Sequence, residues 1–185
     1  MKRLKVAIIG QGRSGRDIHG NYLIKDKARY KIVAVSDILK ERCERAVQEY
    51  GCQVYSDYRQ LFRHKDLDLI INTSPSNMHV PVSLEILNAG FNCLCEKPFA
   101  QRIKDVDKLI AAAKKNKKIL TIFQQSRFAP YFQHIKKVIE SGVLGRIVQI
   151  NVAFSGFARR YDWQTLQKFM GGNLLNTGPH PLDQA

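Results

Sequence analysis

Short apolar runs and amphipathic stretches alternate along the first two thirds of the chain. Leu4–Ile9 is a nearly continuous apolar run, and residues 32–36, 67–72, 91–95 and 119–123 repeat the pattern. Runs this short, apolar on both sides, predict strands covered on both faces of a parallel sheet. Between them, residues 14–26, 40–50, 79–88 and 103–115 carry apolar side chains at helical spacing and predict helices. Gly51 and Gly90 fall just past two of these, where a left-handed cap is wanted, and Asn77 stands before another as an N-cap would. Strand, helix and strand in succession imply parallel pairing through right-handed crossovers, with helices on both faces. The expected fold is therefore α/β, a doubly wound parallel sheet whose ligands bind beyond the carboxyl ends of its strands.

The pattern changes after Phe123. Residues 131–141 read as a helix closed by Gly142, and Gly145 precedes a stretch, 146–154, in which Ile147, Ile150, Val152 and Phe154 suit a strand. The expected organisation is a nucleotide-binding domain over residues 1–123 and an α+β domain for substrate and oligomer contacts from 124 to 185. Too few residues follow position 124 to complete such a domain, so only its beginning is expected here.

Composition narrows the choice of function. With 44% hydrophobic and 25% charged residues the chain has the make-up of a folded globular protein. No apolar run approaches the ~20 residues needed to span a bilayer. The basic start runs from Val6 straight into Gly10 without a cleavage site, which favours a first strand and a cytoplasmic location. Cys43, Cys52, Cys93 and Cys95 have no neighbouring metal-ligand pattern and read as buried thiols in a reducing compartment, with no metal site. The net charge of +14 raises nucleic-acid binding as an alternative, which predicts DNA affinity that falls steeply with salt. The positive residues are scattered, however, apart from Lys114, Lys115, Lys117 and Lys118, which sit where cations complement a helix end. No nucleic-acid partner is expected.

Gly10-Gln11-Gly12-Arg13-Ser14-Gly15 has the Gly-x-Gly-x-x-Gly spacing, and it directly follows the first predicted strand and opens the first predicted helix. In that setting the first glycine makes the turn and the second admits a pyrophosphate. The third lets helix and strand pack closely, while the helix N-terminus favours the anion. Asp37 ends the second strand, 22 residues after Gly15, where a carboxylate can accept from both ribose hydroxyls. Such a carboxylate repels a 2′-phosphate, so NAD is expected rather than NADP, although Lys40 and Arg42 lie close enough in sequence to serve a phosphate.

Glu96-Lys97-Pro98 adds a landmark. Together with the glycine turn followed by His19, Asp37, Thr73-Ser74-Pro75-Ser76-Asn77-Met78-His79, Arg127-Phe128, Gly142-Val143-Leu144-Gly145 and Gly171-Gly172 leading to Gly178-Pro179-His180 and Asp183, it makes the chain resemble the Gfo/Idh/MocA family over essentially all of its length. The resemblance implies a Rossmann domain followed by a domain built on a large, mostly antiparallel sheet, and a homo-oligomer, dimer or tetramer. It implies Lys97 as the central catalytic residue, its ammonium stabilising an alkoxide-like oxygen, with a cis Lys97–Pro98 bond. His180 is implied as the general base for a substrate hydroxyl. Thr73, Ser74, Pro75, Asn77, His79, Glu96 and Lys97 itself would shape the cofactor site. Arg127, Asn176 and Asp183 would face the substrate, as would Trp163. Many members have aspartate where this chain has Asn176. Asparagine contributes no charge to the histidine, which leaves more of the proton work to Lys97. The expected activity is hydride exchange between a nicotinamide and a secondary alcohol of a sugar, inositol or related polyol. Two other readings of the same fold are a dinucleotide-binding regulator without turnover and a glycosidase that uses NAD only transiently.

Overall fold

The computed structural model describes residues 2–157 and 159–185, and the chain divides into two compact units, Met1–Ile122 and Phe123–Ala185. The first unit is built on six strands: β1 (Leu4–Ile9), β2 (Tyr30–Ser36), β3 (Gln53–Tyr55), β4 (Leu69–Asn72), β5 (Cys93–Glu96) and β6 (Leu120–Phe123). They lie side by side in the order β3-β2-β1-β4-β5-β6. The pairings of β1 with β2 and β4, of β2 with β3 and of β4 with β5 are all parallel. This is a parallel, Rossmann-like sheet that reverses direction of growth beside β1, where such sheets open a ligand crevice.

Alternation along β1 divides the core. Ala7 and Ile9 face one apolar layer with Ile70, Cys93 and Cys95, closed by Val82, Ile86 and Leu87 of α3 (His79–Asn88) and Leu109 and Ala113 of α4 (Ile103–Lys115). Val6 and Ile8 face the opposite layer with Ile32, Val35 and Ile71, closed by Leu23 of α1 (Asn21–Lys25) and Ala46 of α2 (Lys40–Tyr50). Each large apolar side chain removed from water this way contributes about 1.5–3 kcal/mol before entropy is counted. Burial also pushes the Cys52 and Cys93 thiols up to about 11, so they stay protonated and act as small apolar groups. Gly51 takes the left-handed conformation past α2 and its N–H bonds to the Val47 carbonyl, as its position in the sequence implies.

Three local features depart from the sequence pattern. The predicted helix over 14–26 is in two pieces: Arg13–Gly20 winds in wide π-type turns before α1 takes over. The wide turns bring the helix backbone against its neighbours, for a Cβ on Gly20 would lie 2.2 Å from the Tyr50 hydroxyl. Strand β3 is too short to carry a period and draws its place from pairing with Ala34, Val35 and Ser36. Asn77 does not cap α3; it lies in the short 3₁₀ turn Ser76–Met78, and its Oδ1 is buried without a partner among the described residues.

The second unit holds α5 (Pro130–Glu140), α6 (Asn173–Asn176) and α7 (Pro179–Gln184). The strand expected over 146–154 is absent from the regular structure, and its Val148, Ile150 and Phe154 are exposed. A strand exists only as a partner in a ladder, since its backbone groups bond to a neighbour rather than to each other. Among the described residues no second strand lies beside it.

Candidate dinucleotide and substrate sites

Register alone aligns the first site. Ser36, Ile9, Asn72 and Cys95 are successive partners across β2, β1, β4 and β5. The next residue of each strand path is therefore Asp37, Gly10, Thr73 and Glu96, a row along the carboxyl edge of the sheet with neighbours about 4.8 Å apart.

The three motif glycines are required for different reasons. Gly10 has φ +91°, and a Cβ on it would lie 2.7 Å from the Thr73 carbonyl oxygen. A Cβ on Gly15 would lie 1.9 Å from the Gly10 carbonyl oxygen, so the first turn of the helix passes against the strand end. Gly12 differs: its backbone is one any residue adopts, and a Cβ there would meet only the Arg42 Nη1, at 3.7 Å. The protein's own packing does not demand glycine at position 12, whereas close approach of a phosphate does. Gln11, buried, donates its N–H to Asp37 Oδ2 at 2.6 Å, and its side chain receives the Tyr50 hydroxyl at 3.3 Å. Arg45 Nη2 donates to the Gln11 carbonyl at 2.9 Å. Arg13 is exposed and Ser14 half-buried at the start of the wide helix.

Asp37 is buried, and its Oδ1 accepts from the Leu39 N–H at 2.9 Å. Two good bonds leave a carboxylate with acceptor capacity to spare. Beside it the apolar side chain of Ile38 is 87% exposed.

On the other side of β1 the Thr73 hydroxyl is 2.7 Å from the Ile9 carbonyl and 3.0 Å from that of Gly10, so Thr73 braces the glycine turn from beneath. The loop it begins is shaped by Asn72, a fully buried polar residue at the end of an apolar strand. Its amide donates to the His79 carbonyl and the Ser83 hydroxyl, and its Oδ1 accepts from both the Ser74 N–H and hydroxyl. Pro75 is exposed in this loop.

Glu96 is buried at the end of β5, its Oε1 2.9 Å from His19 Nε2 and its Oε2 accepting from the Lys97 N–H at 3.3 Å. This contact ties the helix after the glycine turn to the lysine, a link invisible across 77 residues of sequence. Lys97 is half-buried and the Lys97–Pro98 bond is cis, as expected.

His79 bridges the two loops, with Nδ1 2.6 Å from the Pro98 carbonyl and Nε2 2.9 Å from that of Ser74. Burial pushes its pKa below the ordinary range, opposed by the Pro98 and Ser74 carbonyls and by Glu96, while Lys97 adds to the depression. The folded protein thus binds fewer protons here than the unfolded chain. The stability tied to the neutral ring is complete above about pH 6.5 and is lost as pH falls through the lower folded value. The melting temperature is expected to fall between about pH 7 and about pH 5.5, and His79→Gln is expected to flatten that fall. An unchanged slope in the variant would assign the acid sensitivity elsewhere.

In the second unit the guanidinium of Arg127 grips Asp183: Nε donates to Oδ2 at 2.8 Å and Nη2 to Oδ1 at 2.6 Å. This hydrogen-bonded pairing holds the Asp183 carboxyl below the usual carboxylate range. His180 Nδ1 is 3.1 Å from the Ser126 hydroxyl, a partner that the sequence did not suggest. Gln125, Ser126, Phe128, Tyr131, Phe154 and His180 line a cleft of about 360 Å³. Asn176 ends α6, and Trp163 packs edge-on against Phe169. Among the described residues no group of three or more His, Cys, Asp or Glu side chains could hold a metal ion, and no helix is long and apolar enough to cross a membrane.

The row of strand ends and the glycine turn define a dinucleotide-binding Rossmann unit. The chain belongs to the Gfo/Idh/MocA family: the model of the oxidoreductase family with an NAD-binding Rossmann fold matches residues 4–124, and that of the GFO/IDH/MocA C-terminal domain matches residues 132–185. It is 30% identical over 169 residues to the inositol 2-dehydrogenase of Salmonella typhimurium, covering 90% of this chain and 48% of that one. It is 26% identical over 186 residues to the 2,7-anhydro-N-acetylneuraminate hydratase of Mediterraneibacter gnavus, covering 99% of this chain and 48% of the relative. Among solved structures, GenD2 from gentamicin A biosynthesis, in complex with NAD, superposes with a TM-score of 0.93 at 24% identity. That superposition covers all of this chain and 53% of GenD2, and it speaks for the fold. The chain spans about half the length of the curated relatives it matches.

Proposed function

We propose that this chain is the cofactor-binding part of an NAD-dependent oxidoreductase acting on a secondary alcohol of a sugar, inositol or related polyol. The observation that carries the reading is the single row Asp37, Gly10, Thr73 and Glu96, with Gly12 left open beside it and Lys97 one residue beyond. The residues present fit a dinucleotide: an uncrowded glycine for the pyrophosphate, a buried carboxylate with spare acceptor capacity for the ribose, and the Asn77 Oδ1 in the loop after β4, which has no partner among the described residues. Gly10, Gln11, Gly12, Arg13, Ser14 and Gly15 form the pyrophosphate turn. Ser74, Pro75, Asn77 and His79 shape the nicotinamide side.

When bound, the nicotinamide supplies a hydride acceptor or donor at its ring. Lys97 holds positive charge beside the substrate oxygen and stabilises the alkoxide character that grows as the carbon is oxidised. Glu96 and His19 set the lysine's backbone. His180, held by Ser126, takes the hydroxyl proton. By the family resemblance, Arg127, Asn176 and Asp183 offer donors and acceptors to the other hydroxyls of a polyol. The exposed apolar side chains between Val148 and Phe157 suit a working homo-oligomer.

Titration of the chain with NADH, against Asp37→Ala, tests the cofactor site: tight binding weakened about tenfold or more in the variant is expected. Accumulation of NADH on addition of NAD⁺ and one of a panel of inositols and sugars tests the reaction. A second reading is a glycosidase that uses NAD only transiently, with no net redox change, and a relative named as a hydratase rather than a dehydrogenase favours it. Product formation without NADH accumulation would select it.

A further inference from the structure

We infer that the amino edge of the sheet in the first unit, across from the carboxyl edge that carries the glycine turn, is a binding surface for single-stranded nucleic acid. The inference is independent of the dinucleotide reading.

Basic residues that are scattered along the sequence are gathered by the topology. In a parallel sheet with helical crossovers every strand begins at one edge, and every helix ends there. Backbone bonds trace that edge from strand to strand. The Leu4 N–H donates to the Arg29 carbonyl at 2.7 Å, Asp68 to Lys5 at 2.9 Å, Ile70 to Asn92 at 2.9 Å and Cys93 to Ile119 at 2.9 Å. Lys2 and Arg3 lead into β1, Lys25 and Lys27 into β2, and Arg63 and Lys65 into β4. The run Lys114, Lys115, Lys117 and Lys118 leads into β6. The acidic residues on these segments are Asp26, Asp66 and Asp68, and each is already paired, with Arg29, Lys5 and Lys2 respectively. Among the described residues no carboxylate pairs with the other cations just named. The result is a positive rim about 20 Å long from β2 to β6, at about 4.8 Å per strand.

Cations at helix ends complement the exposed carbonyls, but that does not account for the whole rim. Lys5 and Lys31 are register partners on neighbouring strands and line one cleft of about 270 Å³ with Gln53 and His64. Like charges placed side by side in a sheet cost stability. Lys117 takes the left-handed conformation, φ +53°, where glycine or asparagine sits at lower cost. Local structure asks for lysine at neither place, whereas a polyanion does.

Aromatic faces select the kind of polyanion. Tyr22 is 54% exposed, and its ring centroid lies 6.1 Å from that of Tyr30. The Arg29 guanidinium carbon stands 5.5 Å from the Tyr30 centroid, and its Nη2 donates to the Tyr22 hydroxyl at 3.1 Å. Planar groups among cations offer stacking to unpaired bases, which a duplex hides and an acidic peptide lacks. Phosphates held by the rim and a base laid on Tyr22 would use both features at once.

The test is fluorescence anisotropy of a labelled single strand of about 12 nucleotides, titrated with the chain at several salt concentrations. Binding on the order of 10 μM near physiological salt is expected, with log K falling against log salt at a slope of about −3. Lys31→Glu with Lys117→Glu is expected to weaken binding about tenfold or more. The same charge change at the carboxyl edge, Arg102→Glu with Lys104→Glu, is expected to leave it within about threefold. Tyr22→Ala is expected to lose about fivefold or more at an unchanged salt slope. Saturating NADH should leave the strand bound. Circular dichroism establishes that each variant folds. Absence of binding overturns the inference, and so does equal weakening by the two charge-reversal pairs, which makes net charge alone the cause. Displacement by NADH overturns it by placing the strand in the cofactor site. Wild-type affinity in Tyr22→Ala, or displacement by polyglutamate as effective as by unlabelled strand, overturns it in favour of a surface that reads charge only.

Discussion

Alanine at Gly15 is expected to destabilise the first unit strongly, while alanine at Gly12 is expected to cost it only the cofactor. At position 15 the added methyl would stand 1.9 Å from the Gly10 carbonyl oxygen and 2.7 Å from the Thr73 hydroxyl. Both neighbours are anchored in the sheet, Thr73 through its hydroxyl to Ile9 and Gly10 through its N–H to Ser36. Helix and strand must separate to admit the methyl, and overpacking against backbone costs about 3 kcal/mol or more. That is a large part of the 5–15 kcal/mol by which domains are typically stable. At position 12 the methyl meets only the flexible end of Arg42, so the melting temperature should stay within a few degrees. NADH affinity should nevertheless fall by about a hundredfold, because the methyl occupies the approach of the pyrophosphate. Thermal melts and NADH titrations of the two variants separate these effects. A Gly12→Ala protein that binds NADH like wild type would remove the glycine turn from the site.

Lys97→Met is expected to lower turnover on any polyol substrate found by the screen by about a thousandfold, the scale lost when one preorganised electrostatic group is taken from a transition state. NADH affinity should stay within about threefold, since the lysine acts on the substrate oxygen rather than on the adenosine half. Methionine keeps most of the side-chain volume beside Glu96 and Pro98, so the substitution removes charge more than packing. Measurement of kcat together with the NADH dissociation constant gives the answer. Retained kcat would transfer the role to another group, His180 first. Lost NADH binding would make Lys97 a cofactor contact alone.

The strands and helices of the first unit were legible because burial on both faces leaves a direct trace in sequence: every residue of Val6, Ala7, Ile8 and Ile9 is apolar because every one is buried. Gly51 was legible for a similar reason, as a left-handed cap selects its residue locally. The Gly10–Gly15 spacing and Asp37 belonged to the same class, each set by one turn and one strand end. Asn72, by contrast, looked like the polar end of a strand, and only the folded loop makes it the hub for Ser74, His79 and Ser83. Glu96 meeting His19 and Arg127 meeting Asp183 join segments 77 and 56 residues apart, for which no local pattern exists.

Sequence by itself determined the parallel order of strands and helices, the glycine turn, the carboxylate just past β2 and the family resemblance, because each depends on residues within a turn or two of one another. Tertiary structure decided the rest. It showed which glycine is demanded by packing and which is left open, split the helix over 14–26 into wide and ordinary turns, and set Arg42 against Asp37. It also left residues 146–154 without the pairing their apolar alternation invites. The physical reason is the same in each case: a helix or a buried run is chosen by its own residues, whereas a close approach, a side-chain pair or a strand is completed by a partner elsewhere in the chain.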